Sequence, residues 1–154
     1  MPPRLEPLER DALPTRVPSR RVAEDQERAD RDRLGAAGAQ VAERAPDRRP
    51  GRDHVFVAGT APIMADRTDP PFDAYSQAAR CLEIIVEALK EVGAGPEHVV
   101  RTRIYLLNAD DIDEVGRAHG EVFKDVRPVT TALVVRALLD PRWLVEIEAE
   151  ALVV

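Results

Sequence analysis

Apolar and polar positions change their period several times after His54, and each change predicts an element. Val55, Phe56, Val57 and Ala58 form a β-branched and aromatic run stopped by Gly59, which predicts a short buried strand. Asp66 to Pro71, rich in aspartate and proline, predict a loop. Between Phe72 and Val92 the apolar positions Tyr75, Ala78, Leu82, Ile85, Val86, Leu89 and Val92 recur at steps of three and four, the spacing of one buried helix face. Gly93 supplies a stop, and Pro96 blocks continuation. Val99 to Leu107 alternates Arg101 and Arg103 against Val100, Thr102 and Ile104 and then turns wholly apolar, which predicts a strand. Asn108 is the expected N-cap of a second helix that buries Ile112, Val115, His119, Val122 and Phe123, with Asp110, Asp111 and Asp113 favourably placed at its start. Two strands follow, Val129 to Arg136 and Leu144 to Val153, separated by a turn containing Asp140 and Pro141. The last is sharply two-faced, with Val145, Ile147, Ala149, Ala151 and Val153 on one side and Glu146, Glu148 and Glu150 on the other.

The order strand, helix, strand, helix, strand, strand implies an α+β fold with both helices on one face of a sheet. The opposite face must then meet solvent or another subunit. Composition sets the domain boundary: residues 1–50 contain no Phe, Tyr or Trp, seven of the thirteen prolines and 21 charged side chains. Such a stretch cannot repay the entropy of ordering, so most of it is expected to be disordered, with the folded domain spanning 52–154. A short amphipathic helix over Val22–Leu34 is the one element its charges allow, through pairs among Glu24, Glu27, Arg28 and Arg31.

Apolar residues make up 44% of the chain but aromatics only 4%, so aliphatic packing must do most of the burial and base-stacking platforms are disfavoured. No apolar run reaches the roughly 18 to 20 residues of a membrane span, and the N-terminus lacks the apolar core of a signal peptide, so a cytoplasmic protein without a membrane partner is expected. Cys81, the single cysteine, reads as a core thiol. Residues 1–50 hold 11 Arg against 10 acidic residues, whereas 51–154 hold 11 basic against 18 acidic, leaving that body at −7. An acidic body repels phosphate backbones, which argues against nucleic acid as a partner.

Four segments resemble the RidA/YjgF family of reactive-intermediate deaminases: HVFVAGTAPI (His54 to Ile63), GAGPEHVVRTRIYLLNADD (Gly93 to Asp111), RPVTTALV (Arg127 to Val134) and LVEIEAEA (Leu144 to Ala151). Their order and spacing span nearly all of residues 53–153. The resemblance implies a chorismate-mutase-like fold and a homotrimer with small-molecule clefts between subunits. It also implies hydrolysis of enamines and imines to a keto acid and ammonia, with no metal and no organic cofactor. Such chemistry needs a substrate anchor and a positioned water.

The resemblance assigns roles residue by residue. Glu146 matches the acidic cleft residue that orients the hydrolytic water, although Glu148 and Glu150 show that a solvated sheet-face carboxylate is the competing reading. Gly59 and Thr60 match the cleft end of the first strand, or form a tight turn only. Deaminase members carry an arginine where this chain has Thr130, and threonine cannot neutralise a carboxylate; Thr130 and Thr131 are then neutral donors, with Arg127 as a substitute anion anchor. His119 stands where members often carry an aromatic residue, and is either a packed histidine or a cleft group. His54 and His98 have no ligand-like spacing with it, so a metal site is unsupported. The same clefts fit two functions, imine hydrolysis and metabolite binding without turnover. A third, the ribonuclease activity once attached to the family, is disfavoured by the acidic body.

Members also bring a tyrosine into the cleft from a glycine-tyrosine lead-in to the first strand, a motif that residues 36–50 lack. A lost nucleotide explains this as a hypothesis: if Pro50, Gly51 and Arg52 are encoded CCG-GGT-CGG, one restored guanine reads arginine, valine, glycine ahead of Asp53, the more typical lead-in. Sequencing the native locus through codon 60 is expected to find those codons and the missing base. An intact frame with other codons removes the idea.

Overall fold

The computed structural model describes residues 42–46 and 51–154. They form strands β1 (Ala42–Pro46) and β2 (Asp53–Thr60), helix α1 (Ala74–Glu91), strand β3 (Val99–Leu106), helix α2 (Ile112–Phe123), and strands β4 (Val129–Val134) and β5 (Val145–Val153). The sheet order is β1-β2-β5-β3-β4, with β3 and β4 parallel and the other neighbours antiparallel. The fold is α+β and chorismate-mutase-like, a mixed sheet with both helices on one face. Among the described residues no helix is long and apolar enough to cross a membrane.

The core follows from the period of β5. Val145, Ile147, Ala149 and Ala151 are buried and pack with Ala78, Cys81, Leu82, Ile85 and Leu89 of α1 and with Val115 and Phe123 of α2. Each fully buried Val, Leu, Ile or Phe among them contributes about 1.5–3 kcal/mol. Cys81 is a core thiol, as its spacing predicts, and burial pushes its pKa up, with the charge of Glu146 adding to the effect. Helix α1 starts where the Asp73 carboxylate accepts from the Ser76 amide at 2.8 Å. It ends in a Schellman arrangement: Gly93 N donates to Lys90 O at 3.0 Å and Ala94 N to Leu89 O at 2.9 Å. The positive φ of 75° at Gly93 makes that stop possible.

Four local expectations change. Ala42–Pro46 lies ahead of the start expected at Arg52, yet it forms the edge strand, paired from Ala42 with Val57 to Pro46 with Asp53. Backbone hydrogen bonds from β2 supply order that side-chain composition does not reveal. The helix expected over Val22–Leu34 lies outside the described residues, as does the remainder of the first fifty residues apart from that strand. A register shift between Val99 and Arg101 buries Val99 and leaves Val100 exposed, so Val100 does not share the inward face with Thr102 and Ile104. Asn108 caps a single 3-10 turn, Ala109–Asp111, instead of α2, its side chain accepting from Asp110 N at 3.3 Å. That tighter turn shifts the phase, and Ile112 at the head of α2 is 41% exposed.

Gln77 is a buried polar residue that helical spacing alone does not single out. Its Nε2 donates to Pro71 O at 2.8 Å and to Arg142 O at 2.9 Å, while its Oε1 accepts from Leu144 N at 2.7 Å. One amide therefore ties the loop entering α1 to the turn entering β5. In that turn Asp140 accepts from the Arg142 amide at 2.9 Å.

Leu89→Ala is expected to cost about 2–5 kcal/mol, whereas Ile112→Ala should stay within about 0.5 kcal/mol. Urea denaturation at one fixed protein concentration separates the two, and equal losses would contradict the placement of Ile112.

Candidate functional site

Alternation puts Glu146, Glu148 and Glu150 on the sheet face turned away from the helices. Their antiparallel neighbours on β3 are Tyr105, Arg103 and Arg101 respectively. Arg103 bonds the Glu148 carboxylate and lies 3.1 Å from Glu150, while Arg101 lies 3.7 Å from Glu150. The neighbour of Glu146 is a phenol, so among the described residues no basic side chain pairs with Glu146. This half-buried carboxylate has its pKa raised, first by burial and then by the charge of Glu148.

Gly59 is what makes room for it. A Cβ at Gly59 would overlap Glu146 Oε1 and stand 3.2 Å from the carboxyl carbon, so the carboxylate rests directly against the end of β2. Because the obstacle is the tip of a flexible side chain, a methyl there displaces the carboxylate more readily than the backbone. Thr60, one residue on, is buried, and its hydroxyl donates to Ala58 O at 2.9 Å. Its hydroxyl is thus committed to its own strand.

A second group gathers at the far edge of the sheet. Thr130 on β4 is the parallel neighbour of Thr102 on β3, and their hydroxyl oxygens are 2.9 Å apart. Thr102 Oγ1 also lies 2.9 Å from His119 Nε2, and Thr130 Oγ1 donates to Pro128 O at 3.1 Å. The His119 ring packs tilted against Phe123 with centroids 4.8 Å apart, and burial lowers its pKa, which favours the neutral imidazole. Thr102 was not singled out from the sequence, where it reads only as an inward strand residue. Arg127 precedes β4 with a φ of 55°; its amide donates to Phe123 O at 2.8 Å and its Nε to Lys124 O at 3.2 Å, so it closes the end of α2.

The predicted site residues other than Thr60 and Arg127 therefore fall into two groups on opposite faces. Glu146 and Gly59 share the face away from the helices, and Thr131, the neighbour of Arg103, stands on that face at the β4 edge. Thr130 and His119 share the helix face with Thr102. Concavities of about 350 and 360 Å³ lie between α1 and α2 and around Phe56 and Arg103, and none of the predicted site residues lines either of them.

A helix layer on one side of a mixed sheet and an acidic ladder on the other define a class of small α+β domains, and comparison with known proteins names it. The family model described as Endoribonuclease L-PSP matches residues 50–153. A Streptomyces coelicolor protein described as uncharacterized is 48% identical over 99 residues, 64% of this chain and 74% of its own length. A RutC family protein of Pyrococcus abyssi is 32% identical over 98 residues, 63% of this chain and 76% of that protein. Among solved structures, Rv2704 of Mycobacterium tuberculosis, a member of the YjgF/YER057c/UK114 family, is similar with a TM-score of 0.59 and 32% identity, covering 73% of this chain and 98% of that one. The chain belongs to the RidA/YjgF family.

A carboxyl whose folded pKa is raised contributes stability below its unfolded pKa and loses it as pH rises through the folded pKa. Glu146→Gln is therefore expected to melt at a higher temperature than wild type near neutral pH, with the gap closing as pH falls below the ordinary carboxylate range. Thermal melts across that range check it, and a Glu146→Gln protein less stable than wild type at neutral pH would contradict the assignment.

Proposed function

We propose that this chain is a Rid-type hydrolase that adds water to reactive imines, enamines or related labile metabolites, in clefts completed by a second copy of the chain. Glu146 carries this reading: a half-buried carboxylate against Gly59, with a raised pKa and, among the described residues, no basic partner. Such a group is a stronger base than a solvated carboxylate. In the step envisaged, Glu146 takes a proton from water as the water oxygen bonds to the imine carbon, the C=N electron pair moves to nitrogen, and the Glu146 carboxyl returns its proton there. Collapse of the carbinolamine expels ammonia and leaves a carbonyl. No cofactor is required, and the setting is metabolite repair in the cytoplasm.

The division of the site between two faces supports the second copy. A ligand on one chain cannot touch Glu146 and Thr130 together, because the sheet lies between them. Strand β4 also exposes Val129 at 67%, Leu133 at 52% and Val134 at 57%, and no residue of β4 is charged. An apolar, uncharged sheet edge of this kind needs covering. Three copies in a ring cover each β4 with a neighbour and bring Thr130 and Thr131 of one chain toward Glu146 of the next. Thr130 in place of an arginine favours a second reading, a trimer that holds an uncharged metabolite without turnover. The charge of −7 over 51–154 weighs against an RNA substrate.

The test generates 2-aminoacrylate and uncharged imines in situ and follows their decay. Wild type is expected to accelerate the uncharged imines, Glu146→Gln to slow them at least about 100-fold, and Gly59→Ala to slow them by displacing the carboxylate. Leu133→Glu should convert a trimer into monomers by light scattering and remove turnover with it. No acceleration across carboxylated and neutral imines sinks the hydrolase reading and leaves binding, while an active monomer sinks the shared cleft.

A further inference from the structure

The hydrogen bonds from His119 to Pro128 run in one direction. A threonine hydroxyl has one hydrogen and can accept at its lone pairs. Three contacts join four groups in a row: His119 Nε2 to Thr102 Oγ1 at 2.9 Å, Thr102 Oγ1 to Thr130 Oγ1 at 2.9 Å, and Thr130 Oγ1 to Pro128 O at 3.1 Å. The Pro128 carbonyl can only accept, so the Thr130 hydrogen goes to it. Thr130 must then accept from Thr102, and Thr102, its hydrogen spent, must accept from His119. All three contacts are hydrogen bonds only when Nε2 carries the imidazole proton. In the opposite sense, Thr130 and Pro128 would face each other oxygen to oxygen with no hydrogen between them.

Thr102 is fully buried and Thr130 is exposed, so the chain leads from a half-buried imidazole to the surface of β4. Linked hydrogen bonds polarise one another by roughly 10–30% each. With its oxygen held by Thr102, the Thr130 hydroxyl can swing its hydrogen from Pro128 O to a ligand atom, and that atom must be an acceptor. The strand cations face elsewhere: Arg101 and Arg103 pair with Glu148 and Glu150 on the other face, while Arg127, ahead of β4, bonds Lys124 O through its Nε. A carboxylate set against Thr130 would lose hydration with no basic side chain on β4 to offset it.

We propose that His119, acting through Thr102, fixes the Thr130 hydroxyl as a hydrogen-bond donor toward an uncharged acceptor of the ligand, a carbonyl oxygen or imine nitrogen. The assignment rests on the reading of β4 as one wall of the cleft. His119 and Thr102 are positioning residues in it, and of the three Thr130 alone touches the ligand.

Two measurements on the full chain test it. Long-range ¹H–¹⁵N spectra of His119 near neutral pH are expected to show the Nε2–H tautomer in wild type and in Thr102→Ser, and a loss of that preference in Thr102→Val. An Nδ1–H ring in wild type overturns the proposal. Titration with pyruvamide and pyruvate, alike in skeleton but differing in charge, is expected to shift the Thr130 methyl with pyruvamide at concentrations where pyruvate does not. Thr130→Val, at an exposed site, and Thr102→Val should each weaken pyruvamide about tenfold, the scale of one lost hydrogen bond, with Thr102→Ser restoring it. Equal or tighter binding of pyruvate, no binding of pyruvamide, or undiminished affinity in a folded Thr102→Val protein overturns it. If these results hold while no imine is hydrolysed, the donor assignment stands and only the hydrolase reading fails.

Discussion

The two-residue period of β5 is the constraint on which the remaining features rest. Its alternation of Val145, Ile147, Ala149 and Ala151 with three glutamates buries an aliphatic row under the helices only if all three carboxylates share the other face. Three adjacent negative charges then need compensation from β3, which supplies Arg101 and Arg103 in register with Glu150 and Glu148. The third register position holds Tyr105, so ionising Glu146 costs stability.

The second group of site residues comes from a different piece of geometry. Strand β3, helix α2 and strand β4 form a βαβ unit, with β3 and β4 parallel. Parallel register sets Thr130 beside Thr102, and the returning helix carries His119 over the same spot. Arg127 completes the unit by closing the C-terminal turn of α2 with its backbone and its Nε.

Much of the fold was legible in the chain because periodicity reports burial directly. The stripe from Ala78 to Leu89 and the alternation of β5 are both present as predicted, and the family segments fall on β2, β3, β4 and β5. The misses are places where backbone hydrogen bonding decides. Strand β1 owes its order to pairing with β2, Val100 is turned outward by a register shift, and Ile112 by a 3-10 turn. Of the site, Glu146 and Gly59 could be named but not their contact, since residues 87 positions apart in sequence carry no local signal of touching. Thr102 and Gln77 were invisible for a related reason: a threonine in a strand and a glutamine in a helix look ordinary until their partners on other elements are seen.

The enclosure of Cys81 has a consequence for handling the protein. Its sulfur lies in the core with its ionisation suppressed, so maleimides and other electrophiles meet a neutral, shielded thiol while the native packing holds. Labelling must await an opening that parts α1 from the sheet. The lone cysteine is thus a natural clock for that opening, and its labelling rate reports breathing of the interior without any engineered probe.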